Sequence, residues 1–192
     1  MRLIEDILRA AKQVADEAEV FYAQSESIAA DLKRDRIAIG SKSKGSGIII
    51  RIIKDGWIGV SCTDNPKTWK NCLEAACASA RFSDPLPWKG LPGPEEVNQK
   101  PLALDKRITT DPALVIDLIN RLKTGAEAYT ADITSGSASV AISEHTIANS
   151  NGLFYSTTGT QVHVSLEMIA GQSTGYESDT AWNLDIIDPE KT

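Results

Sequence analysis

The chain has 192 residues with 42% hydrophobic and 24% charged side chains, a net charge of −6 and a pI of about 5.0. That composition is globular, and the length suits one large domain or two small ones. No apolar run approaches the roughly 18 residues of a membrane-spanning helix. The densest basic stretches, Lys33-Arg34-Asp35-Arg36 and Lys42-Ser43-Lys44, are too short to capture a phosphate backbone, so neither nucleic acid nor membrane is an expected partner. Met1-Arg2-Leu3-Ile4-Glu5-Asp6 turns acidic at once and lacks the apolar core of a signal peptide, which makes the cytoplasm the expected location.

The helical period in Ile4, Ile7, Leu8, Ala11, Val14 and Ala15 predicts a first helix from about Leu3 to Ala18. Val20, Tyr22, Ile28, Ala30 and Leu32 then recur at even positions, the period of a half-buried strand. Ile37 and Ile39 mark a second strand. Ile48 to Ile53, β-branched almost throughout, reads as a central strand buried on both faces. Asp55-Gly56 supplies the positive backbone angles of a tight turn, and Trp57, Ile58, Val60 and Cys62 form the returning strand of a four-strand antiparallel meander. Asn65-Pro66 is a cap followed by a first-turn proline. It opens a helix whose apolar face is Trp69, Cys72, Leu73, Ala76 and Ala80, on the same side of the sheet as the first helix.

Ser83 to Pro101 carries Pro85, Pro87, Pro92, Pro94 and Pro101 with Gly90 and Gly93, and neither helix nor inner strand persists through such a stretch. The expected organisation is therefore a helix–meander–helix unit at 1–83, a proline-rich linker at 84–110 and a second unit at 111–192. Asp111-Pro112 opens that second unit with a helix striped by Val115, Leu118, Ile119, Leu122, Ala126 and Tyr129. Strands are predicted near Ala138–Ile142, Thr146–Asn149, Leu153–Thr157 and Val162–Met168, with Asn149-Ser150-Asn151-Gly152 as a turn. In the last of these strands, His163, Ser165 and Glu167 alternate with apolar residues and mark a wet face. The fold class is α+β, two units of antiparallel sheet covered by helices. Asp188-Pro189-Glu190 again announces a helix start, one turn from Thr192. This implies the front part of a longer protein with an incomplete second domain.

Catalytic constellations are absent from the sequence. Cys62, Cys72 and Cys77 form no CxxC pair and read as reduced, packed thiols; with His145 and His163 they give no zinc-ligand spacing. Glu144-His145 brings a carboxylate beside an imidazole. HExxH fails, however, because position 149 is Asn149, and the inverted form fails at Ala141. His163 reads as a solvent-facing or hydrogen-bonded strand residue. Gly40 to Gly47 lacks the P-loop pattern and is expected to be a flexible hairpin loop. Glu17/Glu19 and Asp31/Asp35 read as solvated surface carboxylates. No catalytic or metal-binding residue is assigned, and no substrate-binding residue can be named.

Several segments carry a resemblance. Ala18-Glu19-Val20-Phe21-Tyr22, Gly45-Ser46-Gly47-Ile48-Ile49-Ile50-Arg51, Asp55 to Asp64, Ser83-Asp84-Pro85, Ile147 to Gly152 and Gly175 to Asp179 follow one another as in the N-terminal part of the TldD/PmbA family. Its members were once labelled modulators of DNA gyrase. The second-unit segments look closer to PmbA-type (TldE) sequences, and Gly175 to Asp179 resembles a stretch leading into a helix. The resemblance implies a subunit of a metalloprotease assembly acting on unfolded peptides, which bind as β-strands through backbone hydrogen bonds. Its partner would be a TldD-type or identical subunit, and zinc would be held by an HExxxH motif only in that partner or downstream, leaving this chain inactive alone. Two alternatives stand beside it: a separate peptide- or partner-binding module, and a regulator of DNA gyrase, which the acidic pI opposes.

Overall fold

The computed structural model describes residues 2–34, 36–85, 90–94 and 103–191. Asp35, Pro87 and Pro101 lie outside the described residues. The elements in chain order are α1 (Arg2–Ala11), β1 (Glu17–Lys33), β2 (Arg36–Lys54), β3 (Trp57–Thr63), α2 (Trp69–Ser79), α3 (Pro112–Ala126), β4 (Asp132–Asn149), β5 (Phe154–Ala170) and β6 (Ser173–Ala181). The strands form one sheet in the order β3-β2-β1-β4-β5-β6. Pairing is antiparallel from Ile48↔Thr63 to Lys54↔Trp57 and from Val162↔Ala181 to Ala170↔Ser173. The backbone bonds Ser150 N–H to Ala18 O and Arg34 N–H to Thr134 O set β1 and β4 in opposite senses as well. The fold is α+β. Among the described residues, no helix is long and apolar enough to cross a membrane.

The residues gather into two compact units assembled from separated stretches. The first comprises Met1–Gln24, Gly45–Lys100 and Glu144–Thr157. Its core joins Ile4, Ile7 and Ala11 of α1 and Cys72, Leu73 and Ala76 of α2 to Val20, Ile48, Ile50 and Ile52 of the strands. Both helices therefore cover one face, as their apolar stripes predicted. Each fully buried isoleucine here contributes on the order of 1.5–3 kcal/mol. The second unit comprises Ser25–Lys44, Pro101–Ser143 and Thr158–Thr192. Its core sets Val115, Leu118, Ile119 and Leu122 of α3 on Ile28, Ala30, Leu32, Val140, Val162, Val164 and Leu166.

Local signals behave as read. The Asn65 side chain accepts from Lys67 N–H and that of Asp111 from Ala113 N–H, each ahead of a proline. Asp55 and Gly56 carry φ of 53° and 78° in the β2–β3 turn.

Six expectations need correction. Helix α1 stops at Ala11, because Asp16 N–H bonds Ile53 O and Glu17 and Ala18 are recruited into β1. Gly40 to Gly47 is no loop: it continues β2 from Arg36 to Lys54, so this part has three strands rather than four. Gly40 leaves room there for the Asp31 carboxylate, which a Cβ at that position would meet. Ile48 to Ile53 is buried fully on one face only. Ile49 is 42% exposed, and Arg51 on that outer face reaches Glu19 at 3.0 Å. The four short strands expected after α3 are the two long strands β4 and β5. The stretch at 175–179 is strand β6, and 188–191 forms a turn rather than a helix.

Candidate functional site

The sheet of the second unit has two unlike faces. Val162, Val164 and Leu166 turn toward α3, the unit's one helix among the described residues, so strand alternation sends His163, Ser165 and Glu167 to the opposite face. Register places Thr180, Ser178 and Tyr176 of β6 across from those three. Cross-strand hydrogen bonds tie the polar face together. His163 Nδ1 lies 2.9 Å from Thr180 Oγ1, Ser165 Oγ lies 2.8 Å from Ser137 Oγ, and Ser135 donates to Glu167 Oε2 at 2.9 Å. Toward one end this face opens into a cleft of about 410 Å³ lined by Ala141, Ser143, Gly159, Gln161, Thr180 and Trp182.

A polar latch borders the cleft. Thr160 Oγ1 accepts from Asp105 N–H at 2.8 Å and lies 2.9 Å from Trp182 O. Buried Asp105 takes Arg107 Nη2 at 2.7 Å and Leu184 N–H at 3.1 Å. Arg107 also reaches Asp185 Oδ2 at 2.8 Å. Hydrogen bonds from Arg107 hold the Asp105 carboxyl far below the usual carboxylate range against the opposing effect of burial, and the guanidinium is correspondingly raised. Asp185 is lowered too, again chiefly by Arg107.

The first unit carries the Asn149-Ser150-Asn151-Gly152 turn, with Gly152 at φ 97°. Asn149 Oδ1 accepts from Asn151 N–H and Leu153 N–H, both at 3.0 Å, and its amide donates to Pro92 O at 2.8 Å. Asn151 donates to Glu17 Oε2 at 2.7 Å, and Glu17 also accepts from Leu91 N–H at 2.8 Å. The motif works as a clamp on residues 90–94, supplying the ladder partners that proline-rich chain cannot make for itself.

The remaining sequence candidates are scattered. His145 is exposed and stacks on Phe21 at 5.7 Å, while Glu144 accepts from Gln24 at 2.6 Å. Against the expectation of a solvated carboxylate, Glu19 is buried and pairs with exposed Arg51, and Glu17 belongs to the clamp. Asp31 is exposed; Asp35 lies outside the described residues. Lys42 and Lys44 approach Glu26 at 3.5 and 3.7 Å, and Thr110 donates to the same carboxylate, keeping it below its ordinary range. Cys62 is exposed, Cys72 buried and Cys77 half-buried, all as free thiols. Among the described residues, no three His, Cys, Asp or Glu side chains converge on a metal-sized site. The described contacts of His163 reach Thr180 but no carboxylate that would orient the ring as a base. What the face offers is a row of hydroxyl, amide and imidazole groups, a binding chemistry. Sequence reasoning missed Ser135, Ser137, Asp105 and Arg107. The period-two serines were a readable signal, whereas the reach of Arg107 to residue 185 left none.

Two family models match the chain: the PmbA/TldA metallopeptidase domain 1 over residues 18–80, and the PmbA/TldA metallopeptidase central domain over residues 105–192. The chain belongs to the PmbA/TldD family. Among solved structures it is similar to TldE from Thermococcus kodakarensis, with 26% identity, a TM-score of 0.79, and coverage of 96% of this chain and 44% of that one. It shares its fold with a provisionally assigned modulator of a DNA gyrase from Thermotoga maritima, at 14% identity and TM-score 0.76, covering 99% and 45%. A third match is another provisionally assigned modulator of DNA gyrase, from Bacteroides thetaiotaomicron, at 19% identity and TM-score 0.74, covering 96% and 45%. The chain thus spans less than half the length of each. No curated protein matches at a significant level.

Proposed function

We propose that this chain is the N-terminal part of a PmbA-type (TldE-like) subunit. In this reading it works in a peptide-cleaving assembly with a TldD-type partner, contributing a wall of the peptide-holding space and no catalytic group. The observation that carries the reading is the open cleft of the polar sheet face, where Ser143, Gln161 and Thr180 present hydrogen-bonding groups without a nucleophile–base pair. The likeness to TldE and the metallopeptidase names of both family models support it. A zinc site would be the partner's or would lie downstream: the sequence has no HExxxH, the described residues offer no ligand cluster, and no step here runs through a metal held by this chain.

The test is co-elution of the chain with a TldD-type subunit on size exclusion, paired with cleavage of denatured casein. The expected result is a shared peak, with casein cleaved only when the TldD-type subunit is present. Chelator-sensitive cleavage by this chain alone would overturn the non-catalytic role; failure to associate would overturn the assembly.

A further inference from the structure

A second concave surface lies in the first unit. It runs along α2 in two adjoining hollows of about 440 and 510 Å³ that share Lys54, Cys77 and Arg81. Its floor is apolar: Val14 (41% exposed), Trp69, Leu73 and Cys77, with Trp57 at the far end (39% exposed). One residue past Arg81, Phe82 is 90% exposed. Large apolar side chains left together in the open mark an interaction surface.

The charge at its rim identifies the occupant. Lys54, Lys70 and Arg81 stand around the two hollows against Glu74 in the larger and Asp55 in the smaller, a net positive rim in a chain whose net charge is −6. Among the described residues, Lys54, Lys70 and Arg81 make no ion pair, and the Lys70 ammonium lies 5.7 Å from the centre of the Trp69 ring. Cations gathered over tryptophan and aliphatic carbon in excess of the carboxylates around them complement a ligand that carries carboxylates beside apolar side chains.

The backbone narrows the form of that ligand. The groove wall is helix, whose peptide groups bond internally, and the outer N–H and C=O of Val60 on β3 are already engaged by the Ser79 hydroxyl at 2.9 and 3.1 Å. Trp57 is bridged to Pro85. An extended peptide lying along α2 would find no free peptide groups on the helix to pair with and would bury bare backbone, whereas a helix arrives with its own bonds made.

We propose that the α2 groove of the first unit docks an acidic amphipathic helix of a partner protein. Helix side chains spaced three and four apart would fill the floor at Val14, Leu73 and Cys77, while flanking carboxylates would meet Lys54, Lys70 and Arg81. This surface is separate from the polar face of the proposed function and stands without it.

The probe is a fluorescein-labelled amphipathic helical peptide with leucines on one face and glutamates on its flanks, followed by anisotropy on the full chain. Saturable binding is expected, weakened by about tenfold or more in Arg81→Glu and in Val14→Asp, and likewise when the peptide glutamates become glutamines. Both substituted positions are exposed, and circular dichroism verifies the fold. Amide hydrogen exchange on the unmodified chain should show the peptide slowing exchange in α2 and leaving β6 unchanged. Equal binding of a lysine-flanked peptide, indifference to both substitutions, protection elsewhere than α2, or preference for phosphatidylglycerol vesicles over the peptide would each overturn the proposal.

Discussion

Arg107 lies two residues from Asp105 in sequence and 78 from Asp185, and its guanidinium joins the two carboxylates at 2.7 and 2.8 Å. The two contacts differ in weight. Asp185 is 71% exposed at the side chain and is screened by solvent, while Asp105 is 6% exposed and depends on this one cation together with the N–H groups of Arg107 and Leu184.

The Asp105 carboxyl gives the fold an acid-sensitive component. Its folded pKa is depressed, so its stabilisation is fully present above the unfolded carboxylate value of about 4 and is lost as pH falls through the folded value. Urea midpoints measured at neutral and at strongly acid pH should fall together with pH in the unmodified chain. Arg107→Ala should lower the neutral midpoint and flatten this part of the pH dependence. An unchanged slope would remove Asp105 as a cause.

Gly59 faces the Ala76 carbonyl so closely that an added Cβ must displace α2 from β3. Gly59→Ala should cost about 1–3 kcal/mol in chemical denaturation. Gly45→Ala, in open space on β2, is the matched control and should be near neutral.

Asn149→Ala removes three hydrogen bonds from a side chain that is 4% exposed. A loss of about 2–4 kcal/mol is expected, since the N–H groups of Asn151 and Leu153 lose their acceptor. Limited proteolysis should then cut within residues 90–94, which the clamp holds through Pro92. Resistance equal to the unmodified chain would show that other contacts hold that segment.

If the cleft faces peptide in the assembled pair, Ser143→Lys should slow casein cleavage there by several-fold, in the range of about 1 kcal/mol of binding. It should leave co-elution with the TldD-type subunit intact. Lost co-elution instead would mean that this face meets the partner subunit.

Much of the architecture was readable before the structure because its signals are local. Asn65 and Asp111 cap helices through bonds to residues two positions on, Asp55-Gly56 turns the chain by its own backbone preference, and the stripes of α2 and α3 each recur within a few turns of helix. The polar side of β5 was equally readable, since His163, Ser165 and Glu167 alternate with Val162, Val164 and Leu166, but it is not uniformly wet: Ser165 is buried. Strand length was not. Whether Gly40 to Gly47 is strand or loop depends on the ladder that β1 offers, and whether Ala18 ends a helix or begins a strand depends on an acceptor at Ile53. The cleft beside Ser143, the latch of Arg107 and the α2 groove likewise exist only where distant stretches meet. Periodicity and caps are properties of neighbours along the chain and were determined by the amino-acid order alone. Ladder pairing, ion pairs and grooves are properties of neighbours in space, and only the tertiary structure decided them.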